Sequence, residues 1–182
     1  MLTGVYFIDQ KTGWVTGAGG TLRRSTNGGE SWTGHPLETQ QPLYGVHFPS
    51  ANEGWVVGGG GTILHTADGG AHWANVTPPA ITDFMKVFTI DAGRFDAQTA
   101  YAAVNTLRLD DVRPFIFRTR NAGRTWERIT NGIPDGTTIN VVREDPLRRG
   151  LLFAGSEQTV FVSIDDGESW QPLTFNLPAT SI

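Results

Sequence analysis

The sequence has no cysteine, which excludes disulfide staples and thiolate metal sites and leaves the redox compartment open. It has no basic excess. The formal net charge is −4, with four basic and seven acidic residues in 1–91 and ten and eleven in 92–182. Neither half carries the electrostatic footprint of a nucleic-acid binder, and no block of like charges forms a tail. No apolar run is long enough for a transmembrane helix, and Met1 leads directly into a strand pattern rather than a leader. No stretch sustains a helical period. The histidines His35, His65 and His72 lack metal-ligand spacing on one strand face, and His47 stands alone on its strand. No metal and no cofactor are expected.

What is present is glycine, 23 residues, and aromatics at 10%, set in a repeat. STNGGESW (25–32), TADGGAHW (66–73), TRNAGRTW (119–126) and SIDDGESW (163–170) share a hydroxyl residue, Asp or Asn, Gly and Trp at fixed places. Copies spaced 41, 53 and 44 residues apart mark a repeat architecture. The chemistry is that of a tight turn. Asn27, Asp68, Asn121 and Asp165 accept from amides two residues on. Ser25, Thr66, Thr119 and Ser163 lock the turn from the incoming strand. Gly29, Gly70, Gly123 and Gly167 take positive φ. Trp32, Trp73, Trp126 and Trp170 lie on the outgoing strand and wedge between units. Calcium binding is disfavoured, because each copy offers at most two carboxylates.

Period-two patterning with Gly-rich punctuation predicts four strands per unit. The expected strands are 5–8, 14–16, 21–24 and 31–35, then 44–48, 55–57, 62–65 and 72–76. The third unit gives 86–90, 100–104, 114–118 and 125–129, and the fourth 138–143, 151–154, 159–162 and 169–173. The fold class is all-β: a β-propeller of four four-stranded antiparallel blades, with the repeat turn between strands three and four. One domain, 1–182, is expected, with blades at about 1–41, 42–82, 83–134 and 135–179, and 180–182 resembling the start of a further blade. The glycine run 58–61 lacks the following helix that a phosphate loop needs, so it reads as a hairpin turn.

Up-down geometry puts the repeat turns on one face and the strand two–three turns and blade connections on the other. On that second face the loop 105–113 gathers Arg108, Asp110, Asp111 and Arg113. Paired carboxylates there would supply acid and base for glycoside hydrolysis, with Asp135, Asp83 or Glu144 as a distant partner. The competing reading is a solvated loop with internal Arg–Asp pairs. A second feature is the residue before each turn hydroxyl: Arg24, His65, Arg118 and Val162. Three of the four form a basic stripe for an acidic protein segment or anionic glycan, or else each pairs with a carboxylate on an adjacent strand.

The octapeptide resembles the Asp-box, or bacterial neuraminidase repeat, of sialidases, sortilin-like proteins and several glycoside hydrolase families. Residues 1–77 resemble the photosystem II assembly and stability factor family, in GWVTGAGGTLRRSTNGGESW and GWVVGGGGTILHTADGGAHW. Residues 83–182 resemble bacterial sortilin-like proteins carrying a glycosyl hydrolase label, in TAYAAVNTLRLDDVRPFIFRTRNAGRTW and LLFAGSEQTVFVSIDDGESWQPL. The resemblance implies β-propeller blades and leaves activity open, because such folds host many chemistries. A sialidase would need an arginine triad, an activated Tyr and the Arg-Ile-Pro motif. That motif is absent, and Tyr6 and Tyr44 hold equivalent repeat positions, which reads as packing.

The function expected is therefore a non-catalytic propeller module binding a protein or a glycan. The alternative is a glycoside hydrolase or a fragment of one, with Asp110, Asp111 and Asp135 as candidate catalytic residues. Arg108, Asp110, Asp111, Arg113, Arg24, His65 and Arg118 are the candidate ligand-binding residues. Partners are a protein or glycan ligand, and a second copy completing a larger ring. The sequence leaves the compartment open between a cytosolic protein and one whose leader is absent from this sequence; the resemblance implies an extracytoplasmic setting, periplasmic or secreted.

Overall fold

A computed structural model of the chain describes residues 1–106 and 111–173. Its regular elements are strands, in four sheets of four. The first sheet is β1 (Leu2–Phe7), β2 (Gly13–Gly17), β3 (Thr21–Ser25) and β4 (Thr33–Gly34). The second is β5 (Leu43–His47), β6 (Gly54–Gly58), β7 (Ile63–Thr66) and β8 (Ala74–Asn75). The third is β9 (Lys86–Ala92), β10 (Ala100–Asn105), β11 (Ile116–Thr119) and β12 (Glu127–Arg128). The fourth is β13 (Ile139–Glu144), β14 (Leu152–Ser156), β15 (Val160–Ser163) and β16 (Gln171–Pro172). Strands follow chain order within each sheet and pair antiparallel. These are four propeller blades, and the chain is all-β as the patterning predicts.

The chain forms two compact units, Met1–Val87 and Phe88–Ile182. The core of the first centres on Trp14, Leu22, Leu43, Phe48, Val56 and Leu64. That of the second centres on Tyr101, Ile116, Ile139, Leu152, Phe161 and Trp170. Glycine positions the first core. A Cβ on Gly54 would stand 2.3 Å from the Phe48 ring, so only glycine lets that ring lie across the strand. The Phe48 ring then stacks on Trp14 of the preceding blade, 3.7 Å between centroids.

The octapeptides are the turns between strands three and four, and all four close in the same way. The leading hydroxyl accepts from the glycine amide: Gly29 to Ser25 at 2.9 Å, Gly70 to Thr66 at 3.0 Å, Gly123 to Thr119 at 2.9 Å and Gly167 to Ser163 at 2.8 Å. Each hydroxyl also donates to the Asn or Asp side chain two residues on. That side chain accepts from the amide of Ser31, His72, Thr125 or Ser169, four residues along rather than two. The hydroxyl already occupies the inner part of the turn, so the longer reach is left to the amide or carboxylate. The four glycines have φ between +82° and +90°. The preceding position is also left-handed, and there Ala122 and Asp166 are the only non-glycine residues with positive φ among those described.

The tryptophans depart from expectation. They sit at the turn's exit, just before strand four, because that strand is only two residues long in every blade. Trp170 alone is buried, at 4% exposure. Its Nε1 donates to Ile129 O at 2.9 Å and its main-chain N–H to Asn131 O at 2.8 Å, locking the third blade to the fourth. Trp32, Trp73 and Trp126 are half-buried. The fully buried indoles are Trp14 and Trp55, both on second strands. The segment 180–182, expected to begin a further blade, lies outside the described residues.

Because only Trp170 is a complete wedge, Trp170→Ala is expected to cost about 3–5 kcal/mol, the range for a large buried aromatic. Trp32→Ala is expected to cost only about 1 kcal/mol. Chemical denaturation of the two variants checks the order.

Candidate functional site

The residue before each turn hydroxyl lies opposite a second-strand aromatic: Arg24 opposite Trp14, His65 opposite Trp55, Arg118 opposite Tyr101, and Val162 opposite Phe153. Strand pairing thus places each cation at a ring. The Arg24 guanidinium stands 5.4 Å from the Trp14 ring centroid, and the His65 and Trp55 rings are 4.4 Å apart.

The three cations differ in what neutralises them. Arg118 is 2% exposed and meets Glu127 at 2.6 Å, Glu168 at 2.9 Å and Asp166 at 3.2 Å. It also donates to the main-chain oxygen of Asp166. The same Asp166 carboxylate accepts from Arg120 at 2.6 Å and from the Tyr101 hydroxyl. Burial, with that hydrogen bond to Asp166 second, pushes the Tyr101 phenol well above its ordinary range. The Tyr101 hydroxyl thereby joins β10 to the following blade's turn at Asp166. His65 meets Glu53 at 2.7 Å. Arg24 meets no carboxylate among the described residues, and its Nε is buried without a hydrogen-bond partner.

Sequence explains the difference. The residue opposite Arg118 on strand four is Glu127, but opposite Arg24 it is Thr33. The following blade's turn offers Arg118 the side chains of Asp166 and Glu168. At the same places after Arg24 stand Gly69 and Ala71. Glu53, Glu127, Asp166 and Glu168 were not singled out from sequence, although the cross-strand place of Glu127 is readable once the register is known.

The loop of acidic and basic residues is only partly placed, since Arg108 and Asp110 lie outside the described residues. Asp111 and Arg113 form a local pair, with Nε to Oδ1 at 2.9 Å and Nη2 to Oδ2 at 2.7 Å. The Arg113 side chain, then its amide, hold the Asp111 carboxyl at about 2. Asp135 is exposed and its charge adds to the field at Arg113. Glu144 is buried, accepts from Gly150 N at 3.1 Å, and has its carboxyl raised by burial. Asp83 lies in the first unit, on a cleft of about 720 Å³ beside β7 and β8. That cleft also takes in His35, whose imidazole is held below its ordinary value by burial and by Arg24.

The family model described as photosynthesis system II assembly factor YCF48 matches residues 1–148. The chain belongs to this family. Among solved structures, one described as YCF48 bound to D1 peptide aligns with a TM-score of 0.66 at 23% identity, over 96% of this chain and 55% of that one. YCF48 from Cyanidioschyzon merolae aligns with a TM-score of 0.66 at 20% identity, over 94% and 55%. The GH74 xyloglucanase from Xanthomonas campestris gives 0.71 at 18% identity, over 90% and 28%. No curated protein matches. At these identities the structural likeness shows the fold alone. This YCF48-family chain spans about half the length of the YCF48 structures it matches.

The unequal pairing of Arg24 and Arg118 has a consequence for stability. Arg118→Met should destabilise by about 1–2 kcal/mol, because Asp166 and the Tyr101 hydroxyl lose a buried charge partner while Glu127 and Glu168, more than half exposed, are left to water. Arg24→Met should leave the melting temperature unchanged or raise it, because it removes a half-buried cation with no acceptor. Thermal melts of the two variants test the contrast.

Proposed function

We propose that this YCF48-family chain is a non-catalytic propeller module that binds an acidic segment of a protein partner at Arg24. One observation carries the reading. Arg24 occupies the place in its blade that Arg118 and His65 occupy in theirs, yet lacks the carboxylate that both of those have. A guanidinium with its Nε already desolvated and no acceptor is a prepared site for a carboxylate, since charge-assisted hydrogen bonds are the strong ones. The Trp14 ring beneath it fixes the plane of the fork. A polypeptide ligand is in keeping with the family, in which one YCF48 structure is described as bound to a D1 peptide.

Fluorescence anisotropy with a labelled Glu/Asp-rich peptide tests this. Arg24→Gln is expected to weaken binding about tenfold, the loss of one charge-assisted contact, and added salt should weaken it further. Equal affinity in Arg24→Gln defeats the reading. Turnover of xyloglucan or aryl glycosides would replace it with the hydrolase alternative.

A second protein contact is supported by the first blade's outer edge. The 41-residue repeat equates Leu2, Val5 and Phe7 with Leu43, Val46 and Phe48. The second set is 0%, 9% and 2% exposed, whereas the first is 59%, 64% and 40% exposed. Phe48 is covered by the preceding blade's Trp14, so Phe7 is shaped for the aromatic edge of another blade. Phe153 and Val162 of the fourth blade present an apolar edge of that kind in a second copy of the chain. Light scattering over a concentration series should give a mass above the monomer that Phe7→Glu returns to monomer. A monomer at every concentration excludes the self-contact.

A further inference from the structure

Two equivalent slots in the chain are filled differently. In the second unit, the segment leaving β12 lies against the tryptophan of the next blade's turn. Ile129 O and Asn131 O accept from Trp170 Nε1 and main-chain N–H. Gly132 makes the approach possible: a Cβ there would stand 2.2 Å from Trp170 O, and its φ is +93°. Ile133 closes the slot from the core.

In the first unit the segment leaving β4 should do the same for Trp73, and it does not. Counting from the tryptophan, Glu38 stands where Gly132 stands, and Leu37 where Asn131 stands. The segment is drawn instead to its own blade. Gln41 O accepts from Gly20 N at 3.0 Å, and Thr39 O packs against Gly20. Trp73 Nε1 is left without a partner, and no acceptor meets the Trp73 main-chain N–H among the described residues. What opens between this segment and β7–β8 is the cleft of about 720 Å³, with Trp73 at its wall, Thr62, Asn75 and Gln41 among its neutral polar groups, and Glu38, His72 and Asp83 among its titratable ones.

We propose that this cleft is a binding site for an extended polypeptide segment, which lies along Trp73 as residues 129–133 lie along Trp170. The second unit is the template for the occupant. A peptide carbonyl accepts from the Trp73 main-chain N–H, and the chain runs beside the indole with the amide and hydroxyl side chains meeting its other main-chain groups. The defining contact is therefore with main chain at Trp73; the cleft borders the Arg24 slot at His35 and Ala71, and the two readings differ in the group recognised, a peptide carbonyl here and a carboxylate there.

The test uses the whole chain, labelled with ¹⁵N, and an acetylated, amidated, uncharged peptide of residues 129–134, ITNGIP. This probe has no carboxylate, so its result stands or falls independently of the Arg24 reading. Saturable shifts of the Trp73 amide and indole signals at about millimolar peptide are expected, the regime of a short contact. Glu38→Gly, which gives the first unit's own segment the residue that closes the second slot, should weaken the peptide at least about fivefold by self-occupancy. Three outcomes would overturn the proposal: no shift at Trp73, shifts of equal affinity in Glu38→Gly, or shifts at Trp73 produced by xyloglucan oligosaccharides and not by the peptide. The wild-type shifts do not depend on how the variant folds.

Discussion

The structure depends on one small constraint used four times: a hydroxyl on strand three that receives a glycine amide across the turn. The hydroxyl fixes the inner loop, and the Asn or Asp it touches fixes the outer one. Main-chain amides that would otherwise point unpaired from a tight turn are thereby satisfied without a metal or a partner strand. Left-handed glycine is the geometric condition for this closure. Each closed turn returns the chain as a two-residue fourth strand. A blade edge that short offers little template for aggregation.

Within each unit, the blades meet through rings and charges together. Second-strand aromatics supply the apolar area, as when Phe48 stacks on Trp14. Third-strand cations sit on those rings and call for acids from the neighbouring blade. Where the acids exist, as around Arg118, the result is a buried guanidinium capped by three carboxylates, two of them open to water. Where they do not, as at Arg24, the same architecture leaves a cation in want of an anion. A repeat protein thus produces candidate sites by omission. One copy keeps the scaffold and drops the side chain that would have completed it.

Membership in the YCF48 family and the likeness to GH74 propellers bear on different questions. The first places the chain in a family, and the second shows that this blade also builds enzymes. Blades carry chemistry only through the side chains set on them. Here the acids most firmly placed are engaged in turns and ion pairs. Asp165 serves its own turn, and Asp111 is tied to Arg113.

By itself the sequence determined the strand order, the turns and the all-β blades. Those are local matters: Ser25, Asn27 and Gly29 meet within five residues, and GWVTG alternates with Gly-rich turns whatever surrounds it. It also marked Arg24, His65 and Arg118 as equivalent positions, because equivalence is a matter of counting. What each of those cations meets was decided only by tertiary structure. Glu168 reaches Arg118 from fifty residues away, and spacing along a chain says nothing of contacts between blades. The same holds for the four tryptophans. They are identical by pattern, yet Trp170 is a buried wedge and Trp73 borders a cleft. The outcome turns on whether the segment leaving the preceding blade has a glycine, as at Gly132, or a side chain, as at Glu38, at the point of closest approach.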